Sequence, residues 1–357
     1  MIATRYKKVC LEAFAVNLPP HEVSSTEIED RLAPVYERLR IPFGTLEKLS
    51  GIKTRYFWDR ETRPSQVGTV AAQAAIAKIG FPKSELGAIF SCSVARDYFE
   101  PATATLIHRN LGMAEDSIAL DISNACAGFS TGITFLANLI EREVVKAGIV
   151  VSGETVTPLF ENNVRHILGN TELTREQILK VIPTFTLGSG AVAFVLCHES
   201  IATTSQRLVG QTLRSATQFN NLCAGLADFA VCDPQAEAPL MMTESSQLIL
   251  SAASLGKRAW ADTSELLGWK RDDVDHIFCH QVGKQVNEAF YEEEGLDMQK
   301  EFTIYKKYGN MVSAAAPTCF VLGVEEKLRN GTLKQGDKLL ITGFGSGLNA
   351  IFSGFEW

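Results

Sequence analysis

One layout of residues occurs twice in this chain, and nothing else constrains its fold as tightly. The segment "IALDISNACAGFSTGITFLANLIEREVVKAGIVVSGE" from Ile118 and the segment "FTIYKKYGNMVSAAAPTCFVLGVEEKLRNGTLKQGDKLLITGFG" from Phe302 each read strand, polar turn, apolar helix, charged helix end, Gly, strand, Gly. Ile89-Phe90 stands 188 residues before Ile277-Phe278, Cys126 stands 184 before Asn310, and Gly153 stands 190 before Gly343. Offsets that agree this closely predict a duplicated unit, with Cys126 opposite Asn310 in the two copies. A further pair, "LGSGAVAFVL" from Leu187 and "GFGSGLNAIF" from Gly343, ends each copy with a glycine-rich turn and a last strand.

Within each copy, short apolar runs alternate with segments of helical spacing. Runs at 88–90, 118–122, 147–151, 191–196, 276–278 and 339–342 predict strands between helices, and hence an α/β fold. The copies are expected at 1–200 and 201–357. The first is the longer, because Gly153 and Gly190 lie 37 residues apart while Gly343 and Gly347 lie 4 apart. That leaves about 33 extra residues near 154–186, either a solvated loop or a wall or lid of a pocket. Inside this insert Thr174 and Gln177 match a capping box ahead of Ile178, Leu179, Val181 and Ile182, which predicts a short helix.

Composition bounds the function classes. A chain of 357 residues, 46% hydrophobic and 21% charged, can bury a substantial core. Its 34 Lys and Arg against 41 Asp and Glu give a formal charge of −7, which argues against a protein built mainly to hold nucleic-acid phosphates. Apolar runs such as 133–140 fall far short of the ~20 residues of a membrane span, so none is expected. Lys7 and Lys8 precede an apolar segment that Glu12 interrupts before it could serve as a signal-peptide core. Eight cysteines, at 10, 92, 126, 197, 223, 232, 279 and 319, stand singly, without the close pairs of zinc or redox motifs. These features predict a cytoplasmic protein with reduced, mostly buried thiols and no metal.

Cys126 falls between a predicted strand and a helix whose apolar residues Phe129, Ile133, Leu136 and Ile140 recur at helical spacing. The positive end of that helix would favour thiolate over thiol; a small buried cysteine is the alternative. His280 follows the strand equivalent to the one ending near Ser91-Cys92, and ligands in open α/β sheets gather at such strand ends. A twofold relation between the copies would bring Cys126, His280 and Asn310 together.

A Cys–His–Asn set could serve a protease, but its spread over two α/β repeats resembles the thiolase superfamily. "NACAGF" around Cys126, "HQV" from His280, "YGNMVSAAAP" around Asn310 and "GFGSG" near the C-terminus are similar to ketoacyl-ACP synthase III-type condensing enzymes over essentially the whole chain. "GIKTRYFWDRET" from Gly51, "SVARDYFEPATAT" from Ser93 and "RSATQFNNLC" from Arg214 resemble more closely the OleA family, thiolases that join two fatty acyl-CoA molecules head to head in long-chain olefin biosynthesis. The chain departs from ketoacyl-ACP synthase III at "GTLEKLS", which lacks the Trp and Arg that stack on the CoA adenine in that family. Lys284 could meet a phosphate or be simply solvated.

The resemblance implies a thiolase fold, with two pseudo-twofold-related α/β repeats layered αβαβα. It implies that Cys126 is acylated, that His280 and Asn310 support the thioester oxygen or enolate by hydrogen bonds, and that the backbone N–H groups of Cys126 and Ser346 form an oxyanion hole. It also implies that Glu100 is a base entering the partner subunit's active site in a homodimer. By sequence alone such a Glu100 is more often a solvated or helix-capping carboxylate, and the turn at Gly345-Ser346-Gly347 is equally a mere tight turn. Coenzyme A thioesters are the expected substrates, no cofactor is expected to be tightly bound, and the partners implied are a second copy and downstream olefin-pathway enzymes.

The expected reaction is a non-decarboxylative Claisen condensation of two acyl-CoAs to a 2-alkyl-3-ketoacyl product. A decarboxylative ketoacyl synthase using a malonyl thioester, and a Cys–His acyltransferase or thioesterase, are the rival enzyme readings. A non-enzymatic scaffold is the reading from another class. Glu100 separates the first two, because only the non-decarboxylative reaction must remove a Cα proton.

Overall fold

The computed structural model describes residues 2–225 and 241–357. Its main sheet has two halves with one strand order. The first half runs Ile118–Asp121, Leu86–Ser91, Ala147–Glu154, Gly190–His198, Val9–Asn17; the second runs His276–Cys279, Lys338–Gly345, Asn349–Glu356, Arg207–Ser215. The three leading strands of the first half are parallel and the last two antiparallel to their neighbours. The second half repeats this from its second strand onward, since its first is reduced to one parallel bridge between Ile277 and Glu301. Cys10 opposite Arg207 joins the halves. The N-terminal strand Ile2–Arg5 pairs with Arg207–Ser215, across the duplication.

Strand residues alternate between two apolar layers, as buried strands with both faces covered must. On Gly190–His198, Val192, Phe194 and Leu196 join the inner cluster, while Ala191, Ala193, Val195 and Cys197 join an outer one. The inner faces of both halves close on helices Gly128–Glu141 and Ala315–Arg329, through Ile133, Leu136, Phe320 and Val324. The outer face of the first half is covered by Pro64–Ile76 and Thr103–Leu111, that of the second by Ser245–Leu267 and Lys284–Glu294. Helix, sheet, helix, sheet, helix is the αβαβα order of the thiolase fold. Close packing of the central helix depends on Gly132, where a Cβ would fall 2.4 Å from Cys92 Sγ.

The insert is helical. Thr157–Gly169 is followed by Arg175–Val181, whose capping box pairs Gln177 N with Thr174 Oγ1 at 3.3 Å and Thr174 N with Gln177 Oε1 at 2.9 Å. Ile178 and Val181 are buried and Leu179 is exposed, the one-sided pattern of a surface helix. With the N-terminal helices Ser25–Arg31 and Ala33–Leu39, the insert builds a separate apolar cluster around Ile28, Tyr36, Phe160, Ile178 and Phe185. It is a wall over the first copy, not a loop.

All seven described cysteines are free, and Cys10, Cys92, Cys197, Cys279 and Cys319 are buried. Cys232 lies outside the described residues. Among the described residues no helix is long and apolar enough to cross a membrane.

Candidate active site

Helix Gly128–Glu141 is headed by a 3₁₀ turn, Ala125–Ala127, and helix Ala315–Arg329 by another, Val312–Ala314. The two turns pack against each other. Each opens on a non-glycine residue in the left-handed region, Ala125 at φ 47° and Val312 at φ 54°. Turn for turn, Ser313 is therefore the counterpart of Cys126. The sequence offset that set Asn310 opposite Cys126 is corrected by three residues: Asn310 stands on the approach to the second turn.

Asn310 is fixed from both sides. Its N–H donates to Thr186 O and its carbonyl accepts from Gly188 N, both at 2.9 Å, so the end of the insert is tied to it. Its Oδ1 accepts from Val312 N at 2.9 Å. Gly309 before it sits at φ 69°, where a Cβ would fall 2.7 Å from Thr186 O. His280 follows His276–Cys279, and its N–H donates to Thr342 O at 2.8 Å.

His280 is 5% exposed, its Nδ1 has no hydrogen-bond partner among the described residues, and burial brings its pKa down to about 4. It is a neutral imidazole at pH 7. Cys126 packs against the insert cluster and is partly open as a residue, but burial of its thiol pushes the pKa well up, with smaller contributions from Cys223 and Glu154. Desolvation thus opposes the thiolate that the helix N-terminus would favour.

The turn after Lys338–Gly345 backs directly onto the Cys126 turn. A Cβ on Gly345 would fall 2.7 Å from Ala127 N and 2.8 Å from Asn124 O. Asn349 Nδ2 donates to Asn124 Oδ1 at 2.9 Å and to Ser346 O at 3.3 Å, which holds half-buried Ser346 beside the same turn. Glu100 stands apart on the exposed loop before helix Thr103–Leu111, next to exposed Tyr98 and Phe99. Lys284 is exposed, with its Nζ 3.8 Å from Glu288. "GTLEKLS" becomes helix Thr45–Ser50, anchored by buried Leu46.

One group went unrecognised in the sequence. Glu154, 1% exposed, ends Ala147–Glu154 and accepts from Val94 N at 2.9 Å, Ala95 N at 3.1 Å, Ser313 N at 3.3 Å and the Ser313 hydroxyl. Its burial pushes the carboxyl pKa up, against those hydrogen bonds. A signal existed: at the 190-residue offset Glu154 falls opposite Phe344, a carboxylate where the other copy has an aromatic ring.

Fold and turn geometry define the class, a thiolase-fold condensing enzyme of the ketoacyl synthase III kind. A family model for the C-terminal part of 3-oxoacyl-[acyl-carrier-protein (ACP)] synthase III matches residues 265–357. The acyl-CoA:acyl-CoA alkyltransferase of Shewanella oneidensis is 35% identical over 357 residues, covering 99% of this chain and 100% of the relative. That of Xanthomonas campestris pv. campestris is 31% identical over 352 residues, covering 99% of each. A crystal structure of Xanthomonas campestris OleA, a cysteine-to-serine variant with bound lauric acid and lauroyl-CoA, superposes with a TM-score of 0.90 at 30% identity, over 99% of this chain and 100% of that one. The chain belongs to the OleA family of acyl-CoA:acyl-CoA alkyltransferases within the thiolase superfamily.

Proposed function

We propose that this enzyme condenses two fatty acyl-CoA molecules, without decarboxylation, to a 2-alkyl-3-ketoacyl-CoA. The observation that carries the reading is the packing of the Cys126 thiol against the apolar cluster of the insert and N-terminal helices, a setting suited to an acyl chain delivered to that sulfur. Full-length relatedness to acyl-CoA:acyl-CoA alkyltransferases supports it. The chain is read as repeats at 1–200 and 201–357, with coenzyme A thioesters as substrates and no tightly bound cofactor. Its product would pass to enzymes of the olefin pathway. Free cysteines fit a cytoplasmic setting, where thiols stay reduced.

In the first step the Cys126 sulfur replaces coenzyme A on the first acyl group, and the thiol proton leaves with the departing thiolate. Neutral His280 can relay that proton, since its imidazole is free to accept. In the second step Glu100 removes a Cα proton from the second acyl-CoA. The resulting carbanion attacks the Cys126 thioester carbonyl, a carbon–carbon bond forms, and the Cys126 sulfur leaves and is reprotonated. His280 and Asn310 donate hydrogen bonds to the oxygen that gains charge, and the N–H groups of Cys126 and Ser346 receive the tetrahedral oxyanion.

Glu100 acts in the site of a second subunit. Among the described residues strand Ile118–Asp121 has one neighbour and an open edge, with Leu120 54% exposed and Phe99, earlier in the same half, 63% exposed. An open edge with apolar side chains is a liability unless another chain covers it, and a homodimer does so.

The test is incubation with a single long-chain acyl-CoA, followed by mass spectrometry of protein and products. An acyl adduct on Cys126 and a coupled product retaining both carbonyl carbons are expected. An adduct with only free fatty acid as product would favour a thioesterase, and carbon dioxide release with a malonyl donor a decarboxylative synthase.

A further inference from the structure

The Glu100 loop needs an anchor, since its tip is exposed while its base must hold a carboxylate at a fixed reach. Beyond Ser93 it is largely solvent-facing, with Val94 51% exposed and Arg96, Tyr98, Phe99 and Glu100 exposed. Yet the N–H groups of Val94 and Ala95 both turn inward to a single buried carboxylate, Glu154, one on each oxygen. Gly153 N donates to Ser93 Oγ at 2.7 Å and reinforces the same junction.

The other side of Glu154 faces the second copy. Its Oε1 also accepts from the N–H and hydroxyl of Ser313, whose Oγ lies 2.7 Å from Ser152 Oγ. Ser313 is in the turn that follows Asn310 and packs on the Cys126 turn. Among the described residues no Lys, Arg or His pairs with Glu154, and its carboxyl is held by the four hydrogen bonds it accepts. One carboxylate therefore joins the loop offered to the neighbouring subunit with the turns that frame the subunit's own site.

We propose that Glu154 is a positioning residue that sets the reach of the Glu100 loop into the partner subunit's site, referencing it to the Asn310–Ser313 turn. The proposal rests on the reading of Glu100 as the base. It follows from acceptor geometry that an amide cannot substitute: if the Gln oxygen keeps the three donors on the Oε1 side, its NH₂ meets the Ala95 N–H, donor against donor. The loop would then lose one of its two anchors while Cys126, His280 and Asn310 keep theirs.

The experiment measures Cys126 acylation and condensation separately in the full-length enzyme carrying Glu154→Gln, Glu100→Gln, or both. Acylation of Glu154→Gln should stay within about twofold of the parent, while condensation should fall roughly 10- to 100-fold, the range expected for losing one or two charge-assisted hydrogen bonds. The double variant should condense no more slowly than Glu100→Gln alone, because Glu154 acts only through the loop. Equal losses in acylation and condensation, or additive losses in the double variant, would overturn the proposal. An unaffected Glu100→Gln enzyme would instead remove the base assignment on which it rests. Hydrogen exchange on the unmodified enzyme gives a readout free of folding defects: the Val94 and Ala95 amides should be protected despite their exposed loop, and exchange at unstructured rates would refute the anchor.

Discussion

Cys126 and Ser313 sit at the same place on two copies of one turn, each following a left-handed non-glycine residue, each heading a central helix. Their surroundings differ in kind. The Cys126 thiol faces the apolar cluster that the insert adds to the first copy. The Ser313 hydroxyl faces the Glu154 carboxylate and Ser152, and hydrogen-bonds to both. The second copy has no insert at the matching point, since its strands Lys338–Gly345 and Asn349–Glu356 are joined by a tight turn. Backbone symmetry alone therefore makes no site; an acyl-binding wall on one side and a filled hydrogen-bond network on the other distinguish the copies.

Exchanging the two side chains is the strongest attack on this contrast. Cys126→Ser combined with Ser313→Cys should give no acyl adduct at either position and no product, by intact-protein mass spectrometry. An adduct on residue 313 would mean that the turn, not the wall, makes the nucleophile. Next in size is Glu100→Gln, which should acylate normally and lose about 10² to 10⁴ in condensation rate, the usual cost of a general base. Then come His280→Ala and Asn310→Ala, each expected to lower condensation by roughly 10² to 10³ with a smaller effect on acylation, as removal of an oxyanion donor does. Native condensation in both would dissolve the convergence of the two copies on one site.

The smallest effect concerns the outer face of the second copy. Glu294 is fully buried, neither carboxyl oxygen has a partner among the described residues, and Gly256 leaves it room. Burial pushes its pKa well up, so the folded state holds a proton that the unfolded chain releases above about pH 4.5. Stability from this group is complete below that pH and declines as pH rises toward the folded value. Glu294→Gln should raise the thermal midpoint at pH 7 by a few degrees and flatten the dependence on pH above 5, measured by calorimetry.

Much of the fold was legible in the residues because it repeats. Strands alternating with helices, the two glycine-rich closing turns and the capping box at Thr174 all carry local signals, and the structure has each where the pattern put it. The three-residue error over Asn310 has a physical origin: the second copy lost its edge strand, keeping only the bridge at Glu301, so the chain reaches the turn by a different path. The desolvation that opposes the Cys126 thiolate was not legible, since the cluster it packs against draws on residues distant in sequence. Glu154 escaped for a similar reason. Its four donors come from residues 94, 95 and 313, and no spacing announces them.

The pairing of Ile2–Arg5 with Arg207–Ser215 has a consequence for the engineering of the chain. Each copy supplies a strand or a helix face that only the other can complete: the N-terminal ribbon crosses over, and the inner cluster draws residues from both halves. A gene cut between codons 200 and 201 would encode two fragments that each leave a helix layer bare. Expressed singly they should aggregate; expressed together they should reassemble. Joining the two copies in one chain keeps these mutually completing surfaces at fixed stoichiometry.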